Sequence, residues 1–173
     1  MSTLTALMLI STMVFAGPTL AAVTGQIQAR LIITAGCEVS SGSSTVPAGN
    51  MGNLDFGDQA PTWIAPIGAS VSNGGNNLQV ACNPSVTGFS VTIDGGNHGD
   101  GTTRRLSNGT RTIPYQLYHD AAGTERYSIG EQKTFAVSSG GQIPIPIFGA
   151  VVANTSALPA GVYSDTLRVT LDW

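Results

Sequence analysis

The reactive side chains of this 173-residue sequence are few: Cys37 and Cys82, His98 and His119, and ten carboxylates. Nucleophilic catalysis needs a serine or cysteine within reach of a base that a third group orients. His119 and Asp120 are adjacent, so on a strand they point to opposite faces, and no serine or cysteine is placed beside them by spacing. The run Asp94-Gly95-Gly96-Asn97-His98-Gly99-Asp100-Gly101 has the oxygens of a calcium loop but lacks the acidic spacing and closing glutamate of an EF-hand. It reads as a glycine-rich connection between strands. Two histidines and two cysteines at these distances form no recognisable zinc pattern. The sequence therefore reads as no enzyme, with no cofactor and no metal. The sequons at Asn108-Gly109-Thr110 and Asn154-Thr155-Ser156 matter only in a glycosylating host.

The cysteines do have a chemistry once the compartment is known. Residues 4–16 are mostly apolar and lead into Gly17-Pro18-Thr19-Leu20-Ala21-Ala22, the pattern of a secretory signal peptide. No Lys or Arg precedes the apolar run, which departs from the usual signal. The run is shorter than the ~20 residues a membrane-spanning helix needs. Cleavage after Ala21 places Thr19 and Ala21 at the small-residue positions, so residues 1–21 are assigned to the signal. In an exported chain the even pair Cys37 and Cys82 reads as a disulfide, two buried free thiols being the alternative.

All ten acidic and all seven basic residues follow Ala21, so the mature charge remains −3. Lys133 is the single lysine, and no basic patch or basic–aromatic interleaving supports nucleic-acid binding.

The elements that must carry these residues are strands. No segment of the mature chain holds a helical period, and 22 glycines and nine prolines punctuate short β-prone runs. Alternation and turn residues predict strands at 23–36, 76–82, 87–94, 111–119, 131–137, 142–152 and 161–172. Shorter pieces are expected at Leu54-Asp55-Phe56 and around Arg126-Tyr127-Ser128. The Ser/Gly-rich segment 38–53 reads as a loop. The isoleucines of Ile143-Pro144-Ile145-Pro146-Ile147 share a face, but the prolines cannot donate to a ladder, which predicts an edge or bulged strand. The pattern is that of one immunoglobulin-like β-sandwich.

Two segments stand apart. At the mature N-terminus Val23, Gly25, Ile27, Ala29, Leu31 and Ile33 share one face; Thr24, Gln26, Gln28, Arg30 and Thr34 share the other, with Ile32 the exception. Fully extended, residues 22–37 would reach about 50 Å at roughly 3.3 Å per residue, far beyond an ordinary strand. Either this is one long first strand, or residues 23–29 leave the domain and 31–37 are its true first strand. The second segment, 163–173, alternates equally and ends at Trp173, so its final strand is expected to have an uncovered edge. A departing strand could add to such an edge on a neighbour.

Motifs in order along the chain add a resemblance. They are Ala22-Val23-Thr24-Gly25-Gln26, Gly36-Cys37, Leu54-Asp55-Phe56-Gly57 and Val91-Thr92-Ile93-Asp94-Gly95-Gly96. Tyr115-Gln116-Leu117-Tyr118-His119-Asp120-Ala121-Ala122, Ile145-Pro146-Ile147-Phe148-Gly149-Ala150 and Gly161-Val162-Tyr163-Ser164-Asp165-Thr166-Leu167 follow. Together they resemble the spore coat protein U domain family, and within it the major pilins of archaic (Csu-type) chaperone–usher pili. The resemblance implies an all-β, incomplete immunoglobulin-like β-sandwich completed by a donor strand from a neighbouring subunit. It implies a structural pilus subunit, exported through the periplasm and polymerised by donor-strand exchange into surface fibres for adhesion and biofilm formation.

Its implied partners are identical subunits, a periplasmic chaperone, an outer-membrane usher, and minor pilins or a tip adhesin. Carried over by residue, the donor strand is Val23, Gly25, Ile27 and Ala29, with Leu31, within an extension at 22–30. The pilin domain is then 31–173. The groove is edged by the first strand, ending at Cys37, and by Leu167, Val169, Leu171 and Trp173 of the last. A spore or cell-surface coat protein built from the same domain is the alternative. A secreted carbohydrate-binding sandwich would need exposed aromatics clustered on one face.

Overall fold

The structure, a computed structural model, describes residues 23–42, 44–46, 49–75, 77–137 and 141–173. The expected signal peptide lies outside them. Contacts divide the chain into Met1–Ile33 and Thr34–Trp173. In the first unit residues 23–33 form no strand and are exposed: Val23 is 97% accessible, Ile27 99% and Leu31 84%.

The second unit is all-β, and every pairing in it is antiparallel. Strands β1 (Cys37–Ser41), β2 (Ser44–Thr45), β5 (Leu78–Cys82) and β10 (Gln142–Pro144) form a sheet in the order β10-β5-β1-β2. A second sheet runs β3 (Asn53–Leu54), β4 (Ile67–Ser72), β11 (Phe148–Val151), β8 (Thr112–Tyr118), β7 (Arg104–Ser107). The third runs β12 (Val169–Asp172), β6 (Gly88–Ile93), β9 (Gln132–Ala136).

Alternation explains the shared core. Leu78 and Val80 of β5, Phe89, Val91 and Ile93 of β6, and Ile113, Tyr115 and Leu117 of β8 occupy every second position and are buried together. Ile145, Ile147 and Val151 join them. The Phe89 and Phe135 rings stack across the β6–β9 pair, centroids 5.3 Å apart. The arrangement is an immunoglobulin-like sandwich, as the strand spacing predicted.

Several strand boundaries differ from the sequence expectation. Residues 23–36 form no strand; the first strand starts at Cys37 rather than ending there, and runs into the segment read as a loop. Its pairing with β5 is strong enough to organise the serine-rich sequence Cys37-Glu38-Val39-Ser40-Ser41. The expected strand 142–152 splits into β10 and β11, which belong to different sheets. Pro144 and Pro146 interrupt donation, and the chain crosses between sheets there, anchored by Ile145 N–H to the Leu78 carbonyl and Val71 N–H to the Ile147 carbonyl. β10 is an edge strand, as its prolines require. Strands β4 and β7 had no clear sequence signal. The expected strand 161–172 is regular only from Val169, with an isolated bridge between Ser164 and Ser107.

Candidate functional site: an open edge beside an apolar cleft

Cys37 and Cys82 face each other in the β1–β5 register and are joined by a disulfide, Cα atoms 4.0 Å apart. The link ties the start of β1 to the end of β5. Nearby, the Asn83 side-chain amide donates to the Thr34 carbonyl and the Asn83 N–H to the Gly36 carbonyl, fixing the chain where it enters the compact unit.

At the opposite end of the sequence, β12 pairs with β6 on one side, and among the described residues no strand pairs with its other side. Asp94 N–H donates to the Arg168 carbonyl, making this a hydrogen-bonded pair. Antiparallel alternation then directs the main-chain groups of Thr170 and Asp172 to β6, and those of Leu167, Val169 and Leu171 to the unpaired edge. The side chains of those same three residues are half-buried against the core, while Thr166, Arg168, Thr170 and Asp172 are exposed. The outer edge of β12 therefore offers main-chain donors and acceptors that no described strand takes up, next to apolar surface.

A cleft of about 300 Å³ lies beside it, lined by Leu54, Phe56, Leu106, Ile147, Leu167 and Val169 among others. Of the residues expected to edge a groove, Leu167 and Val169 line this cleft. Leu171 packs on the core outside it, and Trp173 is 58% exposed. Residues 49–54 and Val71 of β4 also line the cleft, and none of its lining residues lies between Leu31 and Ser41.

Asp165 and Tyr115 bring polar groups into the cleft lining. Asp165 has a side chain only 2% accessible. Its Oδ2 accepts from the buried Tyr115 hydroxyl at 2.8 Å, and its Oδ1 accepts from the His98 N–H at 3.1 Å and lies 3.3 Å from His98 Nδ1. Burial, then the bond to Asp165, pushes the Tyr115 hydroxyl well above its ordinary pKa, so it stays a donor. Arg104, 3% accessible, donates to the carbonyls of Asp94 (2.8 Å), Tyr127 (2.7 Å) and Ile93 (2.9 Å). Burial lowers the guanidinium pKa, against the raising influence of Tyr115, Asp94 and Asp165. One signal for Asp165 was available: Tyr163, Leu167, Val169 and Leu171 share its parity, so a carboxylate occupies an inward position of an otherwise apolar face.

In the loop between β6 and β7 the carboxylates hydrogen-bond to nearby main chain. Asp94 Oδ1 accepts from the N–H groups of Gly96 and Arg168. Asp100 caps Thr102 and Thr103 and pairs with Arg105. These carboxylates are taken up by turns, and among the described residues no three His, Cys, Asp or Glu side chains gather as a metal site. His119 contacts Glu125, which also receives Lys133 at 3.2 Å, while Asp120 caps the turn at 124–125. Both residues follow the end of β8, in a bend rather than on a strand, and their hydrogen bonds go to different partners.

Comparison with known proteins agrees with this architecture. The family model of the Spore Coat Protein U domain matches residues 23–170. No curated protein matches the chain. Twenty chains of solved structures match. Among them is the CsuC–CsuE chaperone–tip adhesion subunit pre-assembly complex from archaic chaperone–usher Csu pili of Acinetobacter baumannii. It is 16% identical with a TM-score of 0.50, and the match covers 82% of this chain and 40% of that one. At that identity the likeness is one of fold. The family match runs from the alternating N-terminal segment into β12, and this chain belongs to the Spore Coat Protein U domain family.

Proposed function

We propose that this chain is a structural subunit of an archaic chaperone–usher pilus. It is exported to the periplasm, held there by a chaperone, and polymerised at an outer-membrane usher by donor-strand exchange. The resulting surface fibre serves adhesion and biofilm formation. The observation that carries this reading is the unpaired outer edge of β12, with the Leu167 and Val169 side chains and an apolar cleft beside it. Exposed strand edges recruit other chains, and an alternating segment answers one with main-chain bonds and apolar side chains.

The donor is the exposed N-terminal segment of another copy, residues 22–30, with Val23, Gly25, Ile27 and Ala29 facing the groove and Leu31 extending it. Burying three or four such side chains at about 1.5–3 kcal/mol each supplies very roughly 5–10 kcal/mol before entropy losses. Donor and acceptor lie on different parts of the sequence, so the contact is heterologous and generates a linear polymer. The solved complex above is a chaperone with a pilus subunit, which supports a chaperone as the partner that first covers this edge.

Ile27→Asp is the test. It places an unpaired carboxylate at the middle of the donor face, a penalty of several kcal/mol. Export, disulfide formation and chaperone capture use other parts of the chain and are expected to persist, while polymer is expected to be lost. Normal surface filaments from Ile27→Asp subunits would overturn the donor assignment.

A further inference from the structure

Residues 163–172 change sheets. Ser164 exchanges both main-chain hydrogen bonds with Ser107 of β7, in the five-stranded sheet. From Thr166 onward the carbonyls accept from Asn97 and Asp94, and β12 then pairs with β6 of the three-stranded sheet. Asp165 sits at the crossing. Its Oδ2 bonds Tyr115 of β8, in the sheet just left, and its Oδ1 bonds His98 in the loop that follows β6. Gly96, at φ +78°, packs against it: a Cβ there would collide with the Asp165 carboxylate. A side chain at position 96 and a seated carboxylate are mutually exclusive.

Burying a carboxylate on a face that is otherwise Tyr163, Leu167, Val169 and Leu171 is costly, and it is offset here by hydrogen bonds from Tyr115 of β8 and from His98 in the loop after β6. An apolar residue at 165 could satisfy the core. It could not fix the two residues that follow, Thr166 and Leu167, in the cleft lining. We propose that Asp165 is the positioning residue of the acceptor edge: its double anchorage to Tyr115 and His98 holds Leu167 and Val169 where an incoming strand must meet them. Tyr115 and Gly96 complete the seat. The edge is thereby preorganised, so an entering strand need not order it. The inference rests on the groove reading above and assigns that groove's control to a buried polar group in its lining.

The test uses the mature full chain carrying Ile27→Asp, which leaves the acceptor edge intact and disables its own donor. The probe is a fluorescent synthetic peptide of residues 23–33. Binding by anisotropy is read alongside thermal melting of the peptide-free chain. Asp165→Ala and Tyr115→Phe are each expected to weaken peptide binding by about tenfold to a hundredfold, the scale of one lost bond to a charged acceptor. Their disulfide and sheet content should persist, and amide exchange at Leu167 and Val169 should rise. Glu131→Gln, an exposed carboxylate outside the residues that line the cleft, is the control and should bind as the parent does.

Asp165→Asn keeps a carbonyl oxygen for one anchor and should fall between parent and Ala. If Asp165→Ala does not fold, Tyr115→Phe alone decides. Lower melting with unchanged peptide affinity in the folded fraction would reduce Asp165 to a stability residue and overturn the proposal. A parent that binds a scrambled peptide equally well, or binds neither, instead overturns the groove reading on which it stands.

Discussion

Arg168 and Asp94 form a ladder step in which a side chain replaces a main-chain acceptor. Asp94 N–H donates to the Arg168 carbonyl at 3.1 Å, but Arg168 N–H donates to Asp94 Oδ1, at 2.9 Å, rather than to the Asp94 carbonyl. That carbonyl is occupied by Arg104 Nε at 2.8 Å. The same Oδ1 also receives Gly96 N–H, so one carboxylate ends β6, shapes the turn after it and starts the pairing of β12.

Asp94→Ala therefore leaves two main-chain donors without their acceptor. The expected loss is about 1–3 kcal/mol of folding stability. Urea denaturation measures it, and faster amide exchange at Arg168 should accompany it. Unchanged stability and exchange would mean that the ladder closes without the carboxylate.

The disulfide is expected to matter on a similar scale. It closes a separation of 45 residues, for which chain entropy gives about 4 kcal/mol. The double variant Cys37→Ser, Cys82→Ser should unfold at correspondingly lower denaturant. Mass spectrometry of unreduced mature protein should find no free thiol; two free thiols would end the assignment.

Acid stability carries a signature from the 120–125 turn. The N–H groups of Glu125 and Thr124 hold the Asp120 carboxyl down from 3.8 to about 2. A depressed folded-state pKa contributes stability that is fully present above the unfolded value, near pH 4, and is lost as pH falls through about 2. Asp100, held low by Arg105 and the Thr102 donors, acts in the same direction. Denaturation midpoints between about pH 4 and pH 2 should fall less steeply in Asp120→Asn than in the parent. Parallel pH profiles would remove Asp120 from the acid response.

Legibility followed side-chain contrast. Phe89, Val91 and Ile93 alternate with Ser90 and Thr92, and Ile113, Tyr115 and Leu117 are spaced alike, so the sequence outlines β6 and β8 almost to their ends. In β4 the alternation of Ile67, Ala69 and Val71 with Gly68, Ser70 and Ser72 is shallow; its place between β3 and β11 makes it a strand. β1 has still less apolar character, and its partner β5 supplies what its composition lacks. In the opposite sense, residues 23–31 alternate like a strand yet form none, because a pattern specifies a face and not the surface that will cover it. Asp165 escaped because a carboxylate within an apolar stripe resembles a surface residue until its partners, 50 and 67 positions away, are known.

The open edge of β12 makes a prediction about stability in the absence of any partner. A chain lacking residues 22–30 keeps the acceptor edge and has no donor, so it should melt low and aggregate through that edge. Appending residues 22–33 after Trp173, through a flexible Gly/Ser linker of about a dozen residues, supplies the missing strand in the same molecule at high effective concentration. The fused chain should be monomeric by light scattering and melt well above the truncated one, reflecting the apolar burial of Val23, Ile27 and Leu31. Ile27→Asp in the appended copy should cancel most of the gain, separating specific groove filling from a general effect of the tail. The contrast is informative because both chains share the disulfide, the core and the Asp94 and Asp165 networks, and differ only in what can meet Leu167, Val169 and Leu171. Equal melting of the truncated and fused chains, both as stable monomers, would show that β12 needs no added strand and that the edge is not an acceptor.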